Sequence, residues 1–285
     1  MVRILADSSC DLSPEDCRAH DIQLVPLTIT LEDGTAFADG TKDLDAFYAH
    51  LAACKKLPTT SQPSPGAFAQ LYAQAKQAGD DVVVITMAST MSGTYQSACI
   101  AAEMAEYAPH VYPVDSQNIS LAIGSLVLYA AQLRDAGAPA SVIAARLNHA
   151  KQHLHLFAIV NDLNNLHKGG RLPAAVAFTG SLLGLKPLLS VKDGKPALIG
   201  KARGLPNAYA AICKHMEDFG GVSRTLGCYA AYTDTPAQLT PILEYYEQHQ
   251  YPMQKTGRIG TVVGTHVGPG AVGLAYFDPE ADRPA

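Results

Sequence analysis

The sequence predicts an α/β protein built as two domains, an N-terminal parallel-sheet domain over residues 1–159 and a C-terminal mixed-sheet domain over residues 160–285. Three observations carry that reading. A length of 285 residues exceeds the roughly 100–200 residues of an average domain, so two hydrophobic cores are expected. Up to about residue 160, short apolar runs rich in β-branched residues alternate with helical patterns, the signature of βαβ units on a parallel sheet. Beyond that point the texture changes to short strand-like segments punctuated by glycine, which suit a mixed sheet. The change falls near Ile159–Asn161.

Val2 to Ala6 reads as the first strand, followed by Val25 to Leu31, Val82 to Thr86 and Val111 to Asp115, each leading into turn residues and then a helical pattern. Ser64 before Pro65 marks a helix start, with Phe68, Leu71, Tyr72 and Ala75 along one face and Gly79 as its end. Gln117 to Ala136 and Ala140 to His153 are longer helical patterns, the second opened by Pro139. His155 to Val160 is expected to return to the first sheet. In the second domain the strand candidates are Pro187 to Val191, Ala197 to Lys201, Thr225 to Tyr232, Gly260 to Gly264 and Val272 to Phe277, with helices at Pro206 to Phe219 and Pro236 to Gln248.

Composition narrows the function classes. A hydrophobic fraction of 48% with 16% charged residues is that of a folded globular chain. The net charge of −5 and the lack of any Lys/Arg-rich run leave no footprint for a polyanion, so nucleic acid is not an expected partner. The amino terminus reaches Asp7 before a signal-peptide core can form, which argues against secretion. Leu121 to Ala131, the most apolar stretch, falls short of the ~18 residues of a membrane span. No transmembrane segment is expected, only transient membrane contact. The six cysteines are scattered without a CxxC pair or metal-ligand spacing, so reduced thiols in a cytoplasmic protein, with no metal and no cofactor, are expected.

In an open α/β sheet, ligands collect beyond the carboxyl ends of the strands, so polar turns in those places are the candidate site. Asp7-Ser8-Ser9 follows the first strand and reads either as part of a polar crevice or as a cap for the turn before Pro14. Thr59-Thr60-Ser61 lies in a run stiffened by Pro58, Pro63 and Pro65, where hydroxyls can donate to an anion at small entropic cost or merely form a loop with a helix cap. Ser92-Gly93-Thr94 joins a strand to a helix start, where free N–H groups and the helix dipole favour a carboxylate or phosphate; plain N-capping explains the same turn. Gly93 lets the backbone approach a ligand. Gly169-Gly170 would aim Arg171, whose planar fork suits carboxylate or phosphoryl oxygens, although Arg171 also reads as a solvated charge. His266, before a Gly-Pro-Gly turn, is a proton donor or acceptor near neutral pH or a structural histidine.

Taken in order, Ile4-Leu5-Ala6-Asp7-Ser8-Ser9-Cys10-Asp11-Leu12, Val25-Pro26-Leu27, Thr60-Ser61-Gln62-Pro63-Ser64, Ser92-Gly93-Thr94-Tyr95-Gln96-Ser97-Ala98, Lys168-Gly169-Gly170-Arg171 and His266-Val267-Gly268-Pro269-Gly270 resemble the DegV family. Ser9 and Cys10 stand where that family's first motif usually has Thr and Ala. The resemblance implies a two-domain α/β protein that buries one long-chain fatty acid at the domain interface. Thr60 and Ser92, with Ser61, Gly93, His266, Asp7 and Ser8 beside them, would hold the carboxylate, and Arg171 and His266 at the mouth would serve phosphoryl transfer or kinase docking. It further implies that a separate ATP-binding fatty acid kinase subunit phosphorylates the bound lipid to an acyl phosphate that feeds phospholipid synthesis, this chain being a carrier and no enzyme in its own right. The sequence shows no P-loop. Burying ~14 methylenes at ~0.8 kcal/mol each gives about 11 kcal/mol before ordering costs, enough for the tail to supply affinity. Val176, Phe178, Leu182, Leu183 and Leu185 are candidates for the wall of that pocket.

Two other classes compete. A serine hydrolase would use Ser92 as nucleophile, His266 as base and Asp7 as orienting acid, although Ser92 lacks a G-x-S-x-G elbow. A small-carbonyl kinase subunit, similar to the dihydroxyacetone kinases, would anchor its substrate covalently on His266.

Overall fold

The computed structural model describes residues 1–161, 163–172 and 184–283. In chain order the described strands are β1 (Val2–Asp7), β2 (Ile22–Val25), β3 (Thr28–Thr30), β4 (Ala36–Ala38), β5 (Thr59–Ser61), β6 (Asp81–Thr86), β7 (Val111–Asp115), β8 (Leu154–Ile159), β9 (Leu185–Lys192), β10 (Lys195–Arg203), β11 (Cys228–Tyr232), β12 (Met253–Arg258) and β13 (Val272–Phe277). The described helices are α1 (Pro14–Ala19), α2 (Leu44–Ala53), α3 (Pro65–Ala78), α4 (Thr94–Met104), α5 (Leu121–Asp135), α6 (Ala140–Ala150), α7 (Asn164–Lys168), α8 (Gly204–Asp218), α9 (Thr240–Gln248) and α10 (Thr261–Val267).

The first sheet is wholly parallel, in the order β2-β1-β6-β7, with Ile4 opposite both Ile22 and Val83. Its central strands are continuous apolar runs because both faces are covered: Ile4, Leu5, Ala6 and Val82 to Ile85 are all buried. On one face α3 and α4 lay down Phe68, Tyr72, Ala98 and Ala101 against Leu5, Val82 and Val84. On the other lies α5, whose residues Leu121 to Leu128 are buried on every side. That helix is apolar all round because it is packed between the two large sheets, touching β1 and β6 on one side and β11 and β13 on the other. Gly124 permits its close approach, since a Cβ there would stand 2.6 Å from the Cys10 carbonyl oxygen.

The second sheet is mixed, in the order β10-β9-β8-β13-β11-β12, with only the β11–β12 pair parallel. Helices α8 and α9 cover its outer face through Tyr209, Ile212, Ile242 and Tyr246. A small antiparallel sheet, β4-β3-β5, places Thr60 opposite the buried Ile29. Among the described residues no helix is long and apolar enough to cross a membrane.

Several elements differ from the sequence expectation, each for a physical reason. Residues 25–31 do not form one strand: Pro26 lacks an N–H for a ladder, so β2 stops at Val25 and β3 joins the small sheet. The helix expected from Gln117 starts at Leu121, because Gln117 and Ser120 have φ of 54° and 57° and no right-handed helix passes through them. The strand at 154–159 does not return to the first sheet but pairs with β13 and β9 in the second. The segment Gly260 to Gly264, read as a strand from its β-branched run, is the start of helix α10, held by tertiary contacts that outweigh β-propensity. Edge strand β12, too polar to stand out, was not expected at all.

Candidate functional site

A cavity of ≈ 420 Å³ opens where the carboxyl end of the parallel sheet meets the small sheet and α10. That volume falls in the roughly 300–1,000 Å³ range of small-molecule sites. Its polar lining comprises Thr60, Ser61 and Gln62 from β5 and the turn after it, Ser92 and Gly93 from the loop after β6, Arg171 from the turn after α7, and His266 on α10. Its apolar lining is Leu27, Met87, Met91, Ile119, Leu166, Pro196, Val262, Val263 and Val267. Segments far apart in sequence thus converge on one wall-lined space with its polar groups gathered on a few turns.

The contacts give each polar group a direction. Thr60 Oγ1 and His266 Nε2 are 3.1 Å apart, whereas the buried Nδ1 of His266 has no hydrogen-bond partner among the described residues. An unsatisfied buried N–H costs more than an unfilled lone pair, so the tautomer assigned here carries its proton on Nε2 and donates it to Thr60. Burial, and secondarily the positive charge of Arg171, push His266 down to about 4 from the ordinary 6.5, so the imidazole is neutral at pH 7. Gly169 permits this arrangement: a Cβ on it would stand 2.4 Å from His266 Nδ1. Arg171 is steered back toward the cavity by its own turn, its Nη1 donating to the Gly169 carbonyl at 2.7 Å.

On the opposite side, Ser92 Oγ lies 2.8 Å from Thr94 Oγ1, and Thr94 is fully buried. Gln62 donates from Nε2 to Ser97 Oγ at 3.1 Å and packs so close to Gly93 that a Cβ there would stand 2.3 Å from Gln62 Oε1. The hairpin tip between β9 and β10 reaches the same loop, Thr90 Oγ1 donating to the Gly194 carbonyl at 2.5 Å, which brings Pro196 to the cavity.

Of the residues singled out from sequence, Thr60, Ser61, Ser92, Gly93, Arg171 and His266 line this one space, and Asp7 and Ser8 do not. Asp7 is buried and spent on the backbone, accepting from Met87 N at 2.6 Å and from Ser9 N and Oγ. Ser8 Oγ accepts from Leu27 N at 3.0 Å. Both brace the loops that carry the lining without facing it. Among the described residues the catalytic triad needed by the hydrolase reading is not assembled, since His266 Nδ1 has no carboxylate on it and its Nε2 meets Thr60. Among the proposed wall residues, Val176, Phe178, Leu182 and Leu183 lie outside the described residues, and Leu185 is not in the described lining. Gln62, Met87 and Met91 also line the cavity; Gln62 is the neighbour of the Thr60-Ser61 hydroxyls and needs the fold to show its role, and apolar wall residues carry no motif.

Comparisons with known proteins bear on the family and the fold. The family model described as "Uncharacterised protein, DegV family" matches residues 1–278. A DegV domain-containing protein of Deinococcus radiodurans is 34% identical over 278 residues, covering 96% of this chain and 97% of that protein. Among solved structures, a DegV family protein from Thermus thermophilus, described for fatty acid binding, superposes with a TM-score of 0.88 at 30% identity, covering 97% of this chain and 99% of the other. DegV from Bacillus subtilis, described as a fatty acid binding protein, superposes with a TM-score of 0.83 at 30% identity over 97% of this chain and 99% of the other. The chain therefore belongs to the DegV family.

Proposed function

We propose that the protein binds one long-chain fatty acid in this cavity and presents its carboxylate to a separate ATP-dependent fatty acid kinase, acting as a carrier of substrate for acyl-phosphate formation. The observation that carries the reading is the pair of backed hydroxyls. With His266 Nε2–H donating to Thr60, the Thr60 O–H is left to donate into the cavity; in the Ser92–Thr94 pair either hydroxyl can donate, and in the arrangement we propose Thr94 donates and the Ser92 O–H turns to the ligand. Two neutral donors aimed at one space suit a carboxylate, and the neutral His266 adds no counter-charge. Arg171, on the same lining, is placed to offset charge as a phosphoryl group arrives. The tail would run along Leu27, Met87, Met91, Val262 and Val263, where flexible thioether side chains tolerate a bent or straight chain.

The ligand then lies between the two proposed domains, residues 1–159 and 160–285, although β8 at the end of the first is an inner strand of the second sheet. Fatty acid binding by the Thermus thermophilus and Bacillus subtilis proteins supports the ligand class; the kinase partner, the link to phospholipid synthesis and a cytoplasmic setting follow from the family resemblance. The six cysteines, none of them disulfide-bonded, suit such a reducing compartment.

The test is mass spectrometry of the protein as purified, intact and after solvent extraction. A non-covalent fatty acid at one per chain is the expected result. A covalent triose adduct on His266 would instead favour the small-carbonyl kinase reading, and labelling of Ser92 by a fluorophosphonate probe would favour the hydrolase.

A further inference from the structure

The cavity is completed by α10, which supplies His266, Val262, Val263 and Val267, and α10 does not hold itself in place. Its start is gripped by side chains from the N-terminal part of the chain. Asp11 Oδ1 accepts from Gly260 N at 2.9 Å while its Oδ2 accepts from Ser120 Oγ at 2.5 Å. Asp39 Oδ1 accepts from Thr261 Oγ1 at 2.5 Å. Tyr48 donates its hydroxyl to the Ile259 carbonyl at 2.8 Å and lies against Gly264 so tightly that a Cβ there would stand 2.3 Å from the hydroxyl oxygen. Arg258, the residue before Ile259, is paired with Asp45 at 2.6 Å and lies over the Tyr48 ring.

None of Asp11, Asp39, Tyr48 and Thr261 lines the fatty-acid cavity. Yet Asp39, Tyr48 and Thr261 are buried, and burying a carboxylate costs stability unless its bonds are used. A seven-residue helix has too few internal hydrogen bonds to fix its own direction, so the outside grips decide where its far end points. That far end is where His266 meets Thr60 at 3.1 Å.

We infer that Asp11, Asp39 and Tyr48 are positioning residues for the lipid site, clamping the first turn of α10 so that His266 Nε2 falls on Thr60 and the hydroxyl of Thr60 is turned toward the ligand. The inference rests on the proposed reading of the cavity for its consequence in lipid binding, but not for its consequence at His266. Removing a grip lets the start of α10 shift, the His266–Thr60 bond is lost or lengthened, and Thr60 is released from its backing donor.

The test uses the full-length protein with Thr261→Val and Asp39→Ala, which remove the grip, against Thr261→Ser and Asp39→Asn, which keep an acceptor and a hydroxyl in place. Ile242→Val, in the separate core under α9 where Ile242 is fully buried, controls for loss of stability alone. Two readouts are taken: the ¹H–¹⁵N imidazole signals of His266 without ligand, and the dissociation constants for palmitate and oleate. The clamp predicts that Thr261→Val and Asp39→Ala move the His266 signals and weaken both fatty acids about tenfold, the scale of one hydrogen bond to a charged group. Thr261→Ser, Asp39→Asn and Ile242→Val should leave both readouts at wild type. Unchanged His266 signals in Thr261→Val and Asp39→Ala would overturn the clamp even if their melting temperatures fall, and equal shifts in Ile242→Val would overturn it as well. If wild type binds neither fatty acid, the proposed ligand is wrong, and the His266 signals still decide the clamp by themselves.

Discussion

On the N-terminal side of the cavity, Thr60, Gln62 and Ser92 are neutral groups, each tied to a partner behind it: His266, Ser97 and Thr94 respectively. On the C-terminal side stand Arg171, anchored by its Nη1 to the Gly169 carbonyl, and His266, with one ring nitrogen bonded and the other buried without a partner among the described residues. In the proposed function the first group holds the anion through hydroxyls without contributing charge, and the second contributes the cation and the titratable ring. If so, binding and transfer are separable by mutation, because they draw on different chemistry.

The largest effect is expected of Arg171→Ala, which removes the cation. Acyl-phosphate formation, followed by phosphate transfer from ATP in the presence of the kinase subunit, should fall ~100-fold or more, the scale for losing one transition-state charge contact. Palmitate affinity should change by less than about threefold. Equal losses in both would merge the two sides into one binding site.

The next effect is on stability against pH without ligand. Because His266 is held at about 4 in the fold and lies near 6.5 when unfolded, the unfolded chain takes up a proton first as pH falls. Stability from this group is therefore lost between about pH 6.5 and pH 4, by at most about 3 kcal/mol. Asp11, pushed up to about 7 by burial, acts in the opposite sense, so the difference between wild type and His266→Gln in urea unfolding at pH 7.5 and pH 4.5 isolates the histidine. The variant should lose less stability on acidification than wild type; parallel losses would mean that His266 is not held neutral.

On the binding side, Ser92→Ala and Thr60→Ala should each weaken palmitate about tenfold in titration calorimetry, since each removes one neutral donor to a carboxylate. Ser92→Ala should leave the His266 ring signals in place, whereas Thr60→Ala should move them. The smallest effect belongs to Gly93→Ala. Its methyl would displace the end of Gln62, a flexible side chain, at a cost of about 1 kcal/mol or less in thermal unfolding, and its readout is loss of the Gln62–Ser97 bond.

Much of this was legible in the sequence. The central parallel strands β1 and β6 announced themselves as apolar runs because both their faces are buried, the edge strand β7 by the buried Val111 and Val114, and α3 because Ser64, Pro65 and Gly79 mark its ends. Thr60, Ser92, Arg171 and His266 were legible as polar turns next to glycine or proline. What could not be read was tertiary in origin. The run Thr261-Val262-Val263 looks like a strand, and only the grips of Asp11, Asp39 and Tyr48 show why it is helical. Asp7 and Ser8 look like site residues because they follow β1, but their polar atoms face the backbone of the neighbouring loops. The apolar wall, Met87 and Met91 included, belongs to no pattern because packing uses any side chain of suitable size.

A crystal structure of the protein with palmitate decides whether this cavity takes a fatty acid with its carboxylate at Thr60 and Ser92. The expected result is a carboxylate within hydrogen-bond distance of both Thr60 Oγ1 and Ser92 Oγ, with the chain running along Met87, Met91 and Val263. A carboxylate placed away from those hydroxyls, or palmitate bound outside this cavity, would contradict it.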